Sequence, residues 1–269
     1  MRLIVLLFLI LVSSCSTRSD LARKYSINKK VEISSVPFIS QEEFQCGPAA
    51  LSMMMSHAGK RVSTTELSAQ AFTPNKQGSF QSDMITAVRR QKMIPVPLNE
   101  LKNLLRELQA GNPVLVLQNL GLSWYPRWHY AVVVGYDLTN SEIILHSGKS
   151  SFMRISLYTF EKTWNRSENW SLLIVNPGEI PATVTEVEMI KATAHLEQMS
   201  LMHEASLGYQ SVLKKWPHSL GALIGLGNIF YHKKDFSNSA RVLKEATEFH
   251  PDSLEARFNY SVALKALKD

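Results

Sequence analysis

Two proline-bearing dipeptides, Trp216-Pro217 and His250-Pro251, stand 34 residues apart, and the residues between them repeat in kind. After Pro217 come Leu223, Leu226, Gly227 and Phe230, then Ser239, Leu243 and Ala246, all at helical spacing. One period earlier the same slots hold Met189, Ala192, Thr193 and Leu196, then Ala205, Tyr209 and Val212. One period later they hold Arg257, Tyr260, Ser261 and Leu264. A 34-residue period with large residues around one small residue predicts paired helices that approach closely and stack, each burying its apolar face only against its neighbours. Residues 184–269 are therefore expected to form an all-α array of about two and a half repeats. It would close on a capping helix from Ser253 to Lys268.

Upstream the texture differs. Pro48 lies in the first turn of an apolar run from Cys46 to His57, and Gly59 follows it, which predicts a buried helix. Thr64 to Ala71, Gln81 to Gln91 and Leu98 to Gln109 read as further helices, the last with a stripe of Leu101, Leu104, Leu105 and Leu108. Short β-rich runs then follow at 114–117, 130–136, 142–145 and 172–175, separated by Gly, Asn, Asp and Pro. Helices followed by an antiparallel set of strands predict an α+β domain over 36–180.

The first residues read as an export signal. Arg2 is followed by ten apolar residues, Leu3 to Val12, and by Ser13-Ser14-Cys15. That run is too short to span a bilayer. Small residues leading directly into a cysteine resemble a bacterial lipoprotein signal, which implies removal of residues 1–14 and lipidation of Cys15. Residues 15–35 would then be a polar tether, and Ser16 after the cysteine implies the outer membrane, facing the periplasm. More than one acyl chain is needed to hold a protein firmly to a bilayer. The formal net charge of the 269 residues is +6, mild and dispersed. Its densest part (Arg18, Arg23, Lys24, Lys29 and Lys30) would sit beside anionic headgroups. No nucleic-acid footprint appears.

The chain has two cysteines. If Cys15 carries lipid, Cys46 has no disulfide partner, and a reactive nucleophile becomes the leading reading of that residue. A helix N-terminus beside an imidazole lowers a thiol pKa and presents backbone N–H groups to an oxyanion. His129, at the start of the strand His129 to Tyr136, is the candidate base, and Gln41 a candidate side-chain donor to the oxyanion. The bland alternative is a small buried cysteine and a satisfied strand histidine. Trp124, Tyr125 and Trp128 either line a peptide groove or pack ordinarily.

Gln41, the run Cys46-Gly47-Pro48-Ala49-Ala50-Leu51 and the strand His129-Tyr130-Ala131-Val132-Val133-Val134-Gly135-Tyr136 together resemble the bacteriocin-processing cysteine peptidases. These are papain-like domains that remove double-glycine leader peptides. The likeness covers roughly residues 36–178 and is nearest to a lipoprotein group that joins such a domain to tetratricopeptide repeats. It implies an α+β papain-like cysteine peptidase domain followed by an all-α tetratricopeptide-repeat domain. Cys46 would be the nucleophile, His129 the general base and then acid, and Gln41 the oxyanion donor. Gln41 stands one position off the family's spacing, with Gln45 a lesser candidate. Where the family carries an aspartate to orient the histidine, this chain has His146-Ser147, so Ser147 or His146 would be the third member.

The likeness implies a peptide or protein substrate, a protein partner held by the repeats and a membrane reached through the anchor. Two functions are compatible with it: a thiol peptidase, or a peptide-binding scaffold that has lost turnover. No phosphate-binding loop occurs. No cofactor is expected, and His57, His195, His203, His218, His232 and His250 show no metal-ligand spacing.

Overall fold

The computed structural model describes residues 21–41, 45–71 and 78–268. The expected signal peptide and Cys15 lie outside the described residues. In chain order the elements are α1 (Leu21–Tyr25), β1 (Lys30–Glu32), α2 (Cys46–His57), α3 (Thr64–Ala71), α4 (Gln81–Arg90), β2 (Ile94–Leu98), α5 (Leu101–Gln109), β3 (Val114–Asn119), β4 (Trp128–Asp137), β5 (Glu142–Ser147), β6 (Ser150–Ser156), α6 (Leu157–Asn165) and β7 (Ser171–Val175). Five helices follow: α7 (Glu186–Gln198), α8 (Met202–Lys215), α9 (Leu220–His232), α10 (Phe236–Phe249) and α11 (Leu254–Ala266). The chain divides into two compact units, Met1–Ala87 with Pro97–Leu173, and Val88–Val96 with Ile174–Asp269.

The sheet runs in the order β2-β7-β3-β4-β5-β6. Its registered pairs β3–β4, β3–β7, β4–β5 and β5–β6 are antiparallel, giving the α+β architecture the sequence predicted. β4 is central and long. Its first half pairs with β3, and its last three residues pair with β1, where Gly135 faces Glu32. A side chain at Gly135 would collide with the carbonyl oxygen of Val31, so the close pairing of β1 with β4 requires glycine. β4 is buried from Tyr130 to Asp137 and β3 throughout. This explains why both read as unbroken apolar runs. α2 packs on β4 and β3 and is buried from Gly47 to Met55. A helix apolar on every side has no solvent face to show. Gly59, at a φ of +82°, lies just beyond its end.

Four details differ from the sequence reading. The tether expected over 15–35 contributes α1 and the edge strand β1, because three residues, Lys30 to Glu32, are too few to register a period. β2, carrying Pro95 and Pro97, takes the start of the segment expected to open α5. It lies at one end of the sheet order, where a residue without an N–H does least harm. β6 lies at the other end and has no buried residue; only Met153 to Ser156 alternate apolar with polar, a run too short to mark a strand. α6 follows it, started by Ser156, whose hydroxyl accepts from Thr159 N–H at 3.1 Å.

In the C-terminal part the first residues of α7, α9 and α11 are spaced 34 residues apart, as are those of α8 and α10. The caps repeat with the same period. The hydroxyls of Thr185, Ser219 and Ser253 each accept the N–H three residues on. The small position also does its work: a side chain at Gly227 would press on Leu243 Cδ2 at 2.7 Å, so α9 and α10 are in backbone-close contact there. α11 falls within the segment expected as the capping helix, and Leu254, Phe258 and Leu264 are exposed on it.

Candidate active site

The candidate residues come from four segments of the first unit. Cys46 is the first residue of α2, half-buried, and a free thiol. His129 is the second residue of β4. Gln41 lies in the segment before α2, and Ser147 ends β5.

These segments meet on two consecutive residues, His129 and Tyr130. His129 Nε2 lies 2.9 Å from Ser147 Oγ. The Tyr130 backbone lies near enough to the Cys46 sulfur to favour its anion, and its carbonyl accepts from Gln41 Nε2 at 3.2 Å. Gln41 then closes the circle. Its Oε1 accepts from Gly148 N–H at 2.8 Å, and its own N–H donates to Gly148 O at 3.0 Å. Gln41 is buried, so these bonds satisfy groups that would be costly to leave unpaired. An amide nitrogen has two protons. The second proton on Gln41 Nε2 has no protein acceptor among the described residues. Gln45, by contrast, is exposed at the N-cap of α2 and makes no capping bond with its side chain.

Register separates the two candidates for the third position. Val132 pairs with His146, so those two share a face of the sheet. Alternation then puts His129 and Ser147 together on the other face. Ser147 reaches His129. His146 is fully buried on the far side: its Nδ1 accepts from Phe152 N–H at 3.2 Å and its Nε2 meets Val36 O at 3.2 Å. Because Nδ1 accepts, Nε2 carries the proton and donates. Phe38 and Phe152 stand edge-on to the ring, with centroids 5.4 and 4.6 Å away. Burial holds the His146 pKa below its ordinary value, outweighing the carbonyl of Val36. His146 is thus a neutral core histidine and has no contact with His129.

Burial opposes the ionisation expected for the thiol. Burial pushes the Cys46 pKa above its ordinary value, and the backbone groups of Tyr130, Gly47 and Cys46 itself, which act the other way, do not cancel it. Burial also lowers the pKa of His129. Both shifts favour the uncharged forms, a thiol and a neutral imidazole, over an ion pair. The helix N-terminus supplies N–H groups, yet desolvation of the anion is the larger effect. The sequence motif could not report this, because burial is a property of the assembled fold.

Two participants had no signal in the sequence, the Tyr130 main chain and Gly148, since backbone groups leave no residue-type signature. Among the described residues no group of three or more His, Cys, Asp or Glu side chains is gathered to hold a metal ion.

An antiparallel sheet whose central strand offers a histidine beside a thiol-headed buried helix defines an α+β, papain-like peptidase domain. The chain belongs to the Peptidase_C39 like family, which matches residues 33–172, just over half of it. Among solved structures it is similar to a C39-like peptidase from Bacillus anthracis, at 20% identity and a TM-score of 0.47, covering 55% of this chain and 98% of that one. It is also similar to the peptidase domain of Streptococcus ComA, a bi-functional ABC transporter involved in a quorum sensing pathway. There the identity is 21% and the TM-score 0.43, with 52% of this chain and 98% of that one covered. A double glycine motif protease from an AMS/PCAT transporter, solved with its leader peptide, matches at 17% identity and a TM-score of 0.41, covering 54% and 93%. No curated protein matches the chain.

Proposed function

We propose that the chain is a membrane-anchored cysteine peptidase in which Cys46 and His129 hydrolyse a peptide bond. The observation that carries this reading is the meeting of Cys46, Gln41 and Ser147 on the His129-Tyr130 step of β4. The Cys46 sulfur attacks the scissile carbonyl carbon as its proton passes to His129, a transfer concerted with attack because the resting thiol is neutral. Ser147 Oγ, accepting from Nε2–H, would fix the tautomer that leaves Nδ1 free to take that proton. The N–H groups at the start of α2 and the free Nε2 proton of Gln41 face the developing oxyanion. Collapse breaks the C–N bond, and His129 gives its proton to the leaving amine. Water, deprotonated by His129, then releases the acyl group from the sulfur.

The 34-residue recurrence of helix starts and caps supports tetratricopeptide repeats, which would hold a protein substrate or partner. The Ser-Ser-Cys signal at Cys15 supports a lipid anchor and a place in the bacterial envelope, at the outer membrane facing the periplasm. A peptide-binding scaffold without turnover is the second reading. The neutral hydroxyl where a carboxylate would steady an imidazolium, together with the raised thiol pKa, favours it.

Labelling with a thiol-directed peptide electrophile separates the two. A peptidase labels Cys46 much faster than free cysteine reacts at the same pH, slows in His129→Ala and does not label in Cys46→Ala. Labelling of the wild type no faster than free cysteine would leave only the scaffold.

A further inference from the structure

The nine residues before His129 carry an apolar surface that the catalytic reading does not use. Leu120, Leu122, Trp124, Tyr125 and Trp128 are all exposed, Trp124 by 81% and Tyr125 by 68%. They lie on the connection between β3 and β4 and on the first residue of β4, and this connection is built rather than loose. Leu122 and Tyr125 form a bridge, each N–H donating to the other's carbonyl at 3.1 Å, and Leu120 N–H donates to Arg127 O at 2.9 Å. Asn119 Oδ1 accepts from the N–H of Gly121 and of Arg127, both at 2.9 Å, while its Nδ2 donates to Leu122 O at 3.3 Å. Arg166 Nη1 donates to the carbonyls of Asn119 and Gly121 at 3.1 and 2.8 Å. The result is a hairpin whose backbone is largely paired, by its own groups, by Asn119 and by Arg166, and whose apolar side chains are exposed.

We propose that this hairpin is a membrane-contact element that seats Trp124, Tyr125, Leu122 and Trp128 in the headgroup region of a lipid bilayer. Four observations favour a lipid surface over a protein or peptide. Tryptophan and tyrosine with flanking leucines are the residues that seek the membrane–water interface. The hairpin's backbone groups are paired by one another, by Asn119 and by Arg166, so its tip can enter a layer of reduced polarity without leaving those groups unsatisfied. The rings of Trp124 and Tyr125 touch each other, 6.2 Å between centroids, and both stand out into solvent, a shape suited to a fluid layer; a peptide is gripped in a concavity. Between Glu107 and Asp137 the only formally charged residue is Arg127, exposed on the hairpin, so the hairpin itself carries a cation and no carboxylate toward anionic headgroups. Seated there, the hairpin would add a second hold to the acyl anchor expected at Cys15. It would also bring His129, the next residue after Trp128, close to the bilayer surface, which selects peptide segments that emerge from or lie on a membrane.

The test uses the full chain in vesicles of phosphatidylethanolamine and phosphatidylglycerol whose acyl chains are brominated near the headgroup. Bromine quenches tryptophan emission only at contact range, so the reading is local even in an anchored protein. The wild type is expected to be quenched, the double variant Trp124→Phe/Trp128→Phe to lose that quenching, and Trp164→Phe, at a buried site, to keep it. Equal quenching in the wild type and the double variant, or none in either, overturns the proposal. Hydrolysis of a soluble peptide without vesicles is the second arm. There Trp124→Ser/Tyr125→Ser should stay within about twofold of wild type. A fall of about tenfold or more would make the hairpin a substrate contact instead and likewise overturn the proposal. The quenching arm needs no turnover, so it stands apart from failure of the peptidase reading.

Discussion

His129 Nε2 and Ser147 Oγ lie 2.9 Å apart, from adjacent strands and on one face of the sheet, while His146, the neighbour of Ser147, points to the other. A hydroxyl can accept from Nε2–H but cannot balance the charge of an imidazolium as a carboxylate does. Ser147→Ala should therefore lower kcat by about five- to tenfold, the worth of one hydrogen bond near 1 kcal/mol, and leave KM unchanged. Ser147→Asp should raise the His129 pKa, because a neighbouring anion favours the protonated ring. Ring-proton titration by NMR reads the shift, and an unmoved His129 resonance in Ser147→Asp would deny the contact.

Gln41 should behave as both a site residue and a structural clamp. Gln41→Ala leaves Tyr130 O and Gly148 N–H without their side-chain partners, so thermal unfolding should record a loss of about 1–3 kcal/mol. The chemical step in single-turnover experiments should fall further than stability alone explains, through the missing oxyanion donor.

His146 offers the opposite pattern. His146→Gln removes at least one of the bonds to Val36 O and Phe152 N–H. It should cost about 1–3 kcal/mol of stability while activity per folded molecule changes by less than about threefold. Burial depresses the pKa of both His146 and His129, so below pH 6.5, their ordinary value, the unfolded chain takes up protons that the folded one refuses. Wild-type stability should therefore fall as pH falls through that region, and His146→Gln should flatten the slope. Denaturant titrations at several pH values measure both.

Cys46 should show no acid-side plateau of reactivity. With its pKa raised above 9.0 by burial and His129 held neutral, alkylation by iodoacetamide should stay slow through neutral pH and climb only in the alkaline range. A plateau extending below pH 7 would mean a thiolate–imidazolium pair and a different resting state.

Gly227→Ala should separate α9 from α10, since the added carbon meets Leu243. Overpacking of this kind costs about 1–3 kcal/mol, readable as a lower unfolding midpoint.

The helix headed by Cys46, the histidine near the start of β4 and the 34-residue helical period were all legible in the chain. Each is written in local spacing: Pro48 and Gly59 bracket α2, and large and small residues recur at fixed steps. The recurring caps at Thr185, Ser219 and Ser253 were equally local, a signal present but not read. Other features were decided only when distant segments met. Whether His146 or Ser147 faces His129 depends on the register of β4 against β5, because one residue of slip exchanges the two faces. The charge state of Cys46 depends on how much of the fold closes over it, and desolvation has no sequence period. β2, with its two prolines, exists as a strand because an edge position tolerates the missing N–H groups, and only the completed sheet has an edge.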